Sequence, residues 1–243
     1  MQLVSAILTS SGSPRARSRL LVRDSIDRHS AAAVVTFASW AGRINAKVLT
    51  HLRGRGIAVE ILVVYESSYG NTHLIADAIA HGLGAAHTVR VEPVVKATRE
   101  LVDRSDLVVV GGPTHIHGMS RPATREKAIE AAKQPDSSLL LDADAAGPGL
   151  REWFADLGQV RTNGAAFDTR VDASALITGR ASKGISKQLR HHGFHEIADP
   201  MSFLVTKETQ LAAGQEAAAR QWGESLAHAL LDNADKTGSA GSH

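Results

Sequence analysis

The stretch from Ile61 to Leu83, ILVVYESSYGNTHLIADAIAHGL, most constrains what this chain can fold into. Ile61, Leu62, Val63, Val64 and Tyr65 form an unbroken apolar run, the pattern of a central parallel strand covered by helices on both faces. The segment Glu66 to Thr72 then carries no bulky aliphatic residue and supplies three hydroxyls from Ser and Thr plus an amide. Gly70 permits a close backbone approach or a conformation barred to other residues. Leu74, Ile75, Ala78, Ile79 and Leu83 recur at helical spacing, so the loop ends at a helix start whose free N–H groups can receive an anion. A strand-to-helix turn with ordinary caps accounts for Ser, Thr and Asn as well, and the chemistry alone leaves both readings open.

From Ile61 onward, strand and helix patterns alternate. Strands are expected near 61 to 66, 88 to 94, 106 to 112, 164 to 169 and 195 to 206. Helices are expected near 72 to 84, 98 to 103, 121 to 132, 149 to 157, 180 to 192 and 213 to 232. This is an α/β, doubly wound, five-stranded pattern. The last strand should be interrupted around Asp199-Pro200, because proline cannot donate to an interior ladder. In the C-terminal helix, Leu211, Ala218, Trp222, Leu226 and Leu230 are available to cover the sheet.

The segment Val63 to Thr72 resembles the flavodoxin signature position by position: two aliphatics, an aromatic, any residue, Ser or Thr, two variable positions, a small residue, any residue, Thr. The resemblance implies a flavodoxin-like parallel sheet of strand order 2-1-3-4-5 with helices on both faces. It also implies flavin mononucleotide (FMN) as cofactor, with Ser67, Ser68, Gly70, Asn71 and Thr72, and Tyr69 among them, wrapping its phosphate. The GxxxxGK[ST] loop of triphosphate sites and the GxGxxG of dinucleotide folds are both missing, which favours a mononucleotide. GPGLREWFADLG, AAFDTR, GRASKGISKQLRHHGF and SFLV, followed by a Trp-Gly helix, resemble flavodoxin-domain proteins common in actinobacteria, across Val59 to Leu231.

In that family the loop after the third strand flanks the flavin ring. Here the resemblance assigns the place to Pro113, Thr114, His115, Ile116, His117 and Gly118, without the Trp often found there. The alternative is that Thr114 caps the turn while the histidines face solvent. After the fourth strand, where a Tyr commonly stacks on the ring, the chain offers Thr169 and Arg170. Arg170 would either face a reduced flavin or pair with Asp168 or Asp172. Trp153 and Phe154 read as packing residues, and Gly179 to Gly184 as structural.

His115 and His117 invite a metal reading. With no cysteine and no regular carboxylate partner it is set aside, and disulfides, cysteine-ligated clusters and thiol catalysis are excluded. Residues 1 to 57 hold nine Lys/Arg against two Asp/Glu, while residues 58 to 243 hold eighteen against twenty-three. The basic segment reads as a disordered or non-native extension, the domain as 58 to 232, and residues 233 to 243 as a disordered tail. Neither a nucleic-acid site nor a membrane span is evident, and the cytoplasm is the default location.

The resemblance therefore implies an FMN-binding electron carrier rather than a stand-alone enzyme. Its acidic domain would meet a redox partner protein or a small-molecule acceptor. One alternative is an FMN-dependent NAD(P)H:quinone or protoporphyrinogen-type oxidoreductase using His115 or His117 as proton donor. Another is a non-redox binding module with a weakened flavin site. The sequence leaves oligomeric state open.

Overall fold

The computed structural model describes residues 59 to 239, with side chains to residue 233, so the expected basic extension lies outside the described residues. The elements are β1 (Glu60–Tyr65), α1 (Asn71–Leu83), β2 (Thr88–Pro93), a 3-10 turn (Val94–Lys96), α2 (Arg99–Arg104), β3 (Leu107–His115), β4 (Gly118–Met119), α3 (Pro122–Ala132), α4 (Leu150–Leu157), β5 (Asn163–Val171), α5 (Ala175–Thr178), α6 (Ala181–His191), β6 (His195–Glu196), β7 (Met201–Val205) and α7 (Gln215–Ser239).

The sheet runs β2-β1-β3-β5-β6, and β7 also pairs with β5; every one of these pairings is parallel. Counting β6 and β7 as two halves of one strand, this is the flavodoxin order 2-1-3-4-5. The interruption falls between Glu196 and Met201, around Asp199-Pro200 as the proline predicts. Arg180 seals the break by donating from Nη2 to the Pro200 carbonyl at 2.5 Å and from Nε to Ser202 Oγ at 2.9 Å. On the outer side of β7, the Leu204 N–H donates to Gln215 Oε1 at 2.9 Å, and its carbonyl accepts from the Ala212 N–H at 3.0 Å.

Side chains alternate across the strands, which divides the core into two layers. Leu62, Val64, Val108, Val110 and Ala166 face α2, α4 and α6, meeting Val102, Phe154, Leu157, Ile185 and Leu189. Ile61, Val63, Tyr65, Val109, Ala165 and Phe167 face α1 and α7, meeting Ile75, Ile79, Ala219 and Leu226. Helices α1 and α7 approach so closely that a Cβ at Gly82 would run into the Arg220 carbonyl, and one at Gly223 into the Ile79 carbonyl.

Trp153 and Phe154 are core residues, with Trp153 Nε1–H donating to the Ala97 carbonyl at 2.7 Å. Leu211 is not on the C-terminal helix. Gly214, at φ 80°, separates it from α7, and Leu211 instead bridges Val205 as an antiparallel neighbour. The helix itself continues through Ser239, past residue 232 where the sequence pattern places its end. Among the described residues no helix is long and apolar enough to cross a membrane.

Candidate functional site

The carboxyl ends of β1, β3 and β5 lie side by side where the winding of the sheet reverses, the usual place for a ligand in such sheets. The β1–α1 loop opens directly onto α1. Its N-cap, Gly70, has φ 86°, a left-handed conformation that a β-carbon resists, and α1 has no side-chain cap. The first intrahelical bond runs from Leu74 N–H to the Gly70 carbonyl at 2.9 Å. The amides of Asn71, Thr72 and His73 are thus the orphan donors of the helix N-terminus, carrying its positive dipole end.

Most loop side chains expected at the anion instead hold the loop in shape. Ser67 Oγ accepts the Gly70 N–H at 3.0 Å, and the Asn71 side-chain amide donates to the Thr209 carbonyl at 2.9 Å. Thr72 Oγ1 lies 2.8 Å from Thr169 Oγ1, and Tyr69 OH donates to the Ala128 carbonyl at 2.9 Å. Ser68 is buried, and its carbonyl accepts the Asp142 N–H at 2.9 Å. The arrangement fits a phosphate monoester through backbone amides around Gly70, where a Cβ would meet no neighbouring atom, so the space over that position is open.

Beside the loop, Tyr65 stacks on His73 with ring centroids 4.3 Å apart. Burial raises the Tyr65 hydroxyl well above its ordinary pKa, and the Asp142 charge adds to the effect. His73 Nδ1 is 3.4 Å from Asp142 Oδ2.

The segment after β3 is not an open loop. Thr114 pairs with Met119 and His115 with Gly118, making a tight hairpin whose two turn residues, Ile116 and His117, have φ of 43° and 71°. Both are left-handed without being glycine, a strain of roughly 1–2 kcal/mol each. Gly179 permits the hairpin's closest neighbour: His117 bridges it, and a Cβ there would strike the His117 backbone. Ile116 and His117 are exposed, whereas Pro113, Thr114, His115 and Gly118 are half-buried. Burial holds His115 below its ordinary pKa; the Glu66 charge pulls it up, and Arg125 pushes it down. The two histidines therefore occupy different environments, half-buried at β3 and exposed at the turn.

Thr114 does more than cap a turn. Its hydroxyl donates to Asp168 Oδ2 at 3.0 Å and accepts the Ala181 N–H at 2.8 Å, while Ser182 N–H donates to the same Asp168 oxygen at 2.8 Å. Asp168 is thereby committed to the N-terminus of α6, and Arg170 pairs with neither Asp168 nor Asp172. The expectation of a salt bridge there is corrected. Arg170 Nη1 donates to the Ala173 carbonyl at 2.6 Å and reaches Val171 O and Thr178 Oγ1 at 3.4 Å, strapping the β5–α6 loop. Asp168 Oδ2 is already taken by Thr114 and Ser182, and Arg170 Nη1 is taken up by uncharged oxygens of its own loop.

Sequence reasoning passed over Glu66, a variable position of the signature. Its carboxylate is buried and accepts from Ser120 Oγ on one oxygen and from the Leu150 N–H on the other, the latter at 2.8 Å. Only the preceding apolar run, which continues the buried side of β1, signals that this residue points inward.

The family model for the flavodoxin domain matches residues 62–126. No curated protein sequence matches the chain. Among solved structures, the chain is similar to a flavodoxin from the domain Archaea at 20% identity, covering 70% of this chain and 98% of that one, with a TM-score of 0.48. Flavodoxin 1 from Bacillus cereus is similar at 14% identity, covering 71% and 97%, with a TM-score of 0.47. A flavodoxin of Streptococcus pneumonia TIGR4 is similar at 16% identity, covering 70% and 98%, with a TM-score of 0.48.

Proposed function

We propose that the chain binds FMN at the carboxyl end of its sheet and serves as an electron-transfer protein. The observation that carries this reading is the start of α1, which has no side-chain cap and opens at left-handed Gly70, where a Cβ would meet no neighbouring atom, leaving the first-turn amides of Asn71, Thr72 and His73 as the anion donors. When bound, FMN supplies the redox chemistry, and the protein's task is to hold and surround it. Those amides and Ser68 hold the phosphate. The hairpin from Pro113 to Gly118, with His115 half-buried and Ile116 and His117 exposed, forms one wall of the ring site. Thr169 and Arg170 close the opposite side, Thr169 through its bond to Thr72 and Arg170 by fixing its loop.

A carrier needs no acid or base at the ring, and the acidic domain suits a basic redox partner or a small acceptor. One observation favours an oxidoreductase as a second reading. His115, half-buried on the hairpin and held below its ordinary pKa by burial, is the imidazole that would exchange a proton with a substrate under this reading.

The test is titration of FMN fluorescence with the full chain, alongside riboflavin and a Gly70→Asp variant. Saturable quenching by FMN that weakens with riboflavin and in the variant supports the reading; no saturable quenching by the native chain overturns it. Oxidation of NADH or NADPH by the FMN-loaded chain with a quinone, and no protein partner, would select the second reading.

A further inference from the structure

The ring-side hairpin is strained at its tip, yet its base is clamped from three elements. Ser120, which follows β4 and is 1% exposed, donates its hydroxyl to Glu66 Oε1 and accepts from Arg125 Nη1 at 3.2 Å. Its carbonyl accepts from Arg151 Nε at 2.9 Å, and the Met119 carbonyl accepts from Arg151 Nη2 at 3.3 Å. Glu66 itself, 7% exposed, also fixes the start of α4 through the Leu150 N–H. Arg125, 9% exposed, continues to Glu152 Oε2 at 3.1 Å, and that same oxygen accepts the Gly149 N–H at 2.8 Å. Although burial pushes the Glu152 carboxyl up, the Gly149 N–H, its own N–H and Arg125 bring it below its ordinary pKa. No room is left among these groups, since a Cβ at Gly149 would collide with both Arg125 and Glu66.

Glu66 is the residue immediately before Ser67, so this clamp joins the root of the phosphate loop to the base of the hairpin. Burying a carboxylate is costly unless its oxygens are bonded, and here each oxygen has a donor, Ser120 Oγ on one and the Leu150 N–H on the other, with Arg125 one hydroxyl away through Ser120. A neutral apolar contact would have packed the site as well; a charged one fixes direction.

We propose that Glu66 is a positioning residue that sets the ring-side hairpin, and His115 with it, relative to the phosphate loop. It acts through Ser120 and Arg125, without touching the cofactor. Only its flavin consequence rests on the FMN reading; the placement of the hairpin does not.

The experiment compares the full native chain with Glu66→Gln and Ser120→Ala, without and with FMN. Without flavin, both variants should speed amide hydrogen exchange across residues 113 to 119 by about tenfold or more while α1 and α7 exchange unchanged. Proton NMR should show the His115 imidazole of Glu66→Gln titrating at lower pH than native, because the charge that pulls its pKa up is gone. With flavin, the FMN dissociation constant should rise by about tenfold, while competition by inorganic phosphate stays as in the native chain. Unchanged hairpin exchange with an unchanged His115 midpoint overturns the proposal, as does exchange rising equally over α1 and α7. Should Glu66→Gln fail to fold, the exchange of Ser120→Ala decides. A native chain that binds no FMN would remove the proposed function while the exchange and imidazole measurements still judge Glu66.

Discussion

Thr72 Oγ1 and Thr169 Oγ1 lie 2.8 Å apart, joining the first turn of α1 to the end of β5 across 97 residues of sequence. Both side chains are buried, so each hydroxyl is the other's answer to desolvation. Thr169→Val keeps shape but leaves Thr72 unpaired. The expected cost is about 1–2 kcal/mol in urea unfolding, with weaker FMN quenching.

Gly70→Ala separates backbone strain from blockage. The new methyl meets no neighbouring atom, but φ 86° opposes it, so stability should fall by about 1–2 kcal/mol. FMN binding should weaken less than in Gly70→Asp, whose carboxylate repels the phosphate. Parallel unfolding and fluorescence titrations check this.

The tight crossing of α1 and α7 predicts a larger effect away from the site. In Gly82→Ala the methyl meets the Arg220 backbone, which no rotamer change can relieve. A loss of about 2–3 kcal/mol or more is expected in chemical unfolding, and phosphate affinity should drop with it as α1 shifts.

His115 gives a pH dependence with a definite sign. Its folded pKa lies below the ordinary 6.5, so the unfolded chain binds the extra proton first. Its stabilising contribution is therefore complete above pH 6.5 and is lost as pH falls below that value toward the folded pKa. Unfolding curves for the native chain and His115→Gln from pH 7.5 to pH 5 should converge toward the acid end. A constant gap would contradict this.

The apolar run of β1, the helical spacing of α1 and the proline break before β7 were legible because each depends on local pattern. The hairpin was not. Its turn uses Ile116 and His117 where glycine or asparagine would have announced a left-handed pair. The side-chain roles in the phosphate loop were also hidden, since Asn71 finds its partner at Thr209 and Tyr69 at Ala128, positions that only folding brings near. Glu66 was passed over for the same reason: its partners, Ser120 and the Leu150 amide, lie 54 and 84 residues away, and a signature position open to any residue gave no hint of them.

The broken last strand also has a consequence for the company the protein keeps. An unpaired sheet border is a template on which a second chain can lay a strand of its own. Here β6 and β7 are short and interrupted at Pro200, and the outward N–H and carbonyl of Leu204 are occupied by Gln215 and Ala212. The opposite border, β2, sets Arg90 and Glu92 between its valines and stops at Pro93. Both rims of the sheet are thus poor templates, which guards an otherwise apolar set of strands against edge-to-edge aggregation.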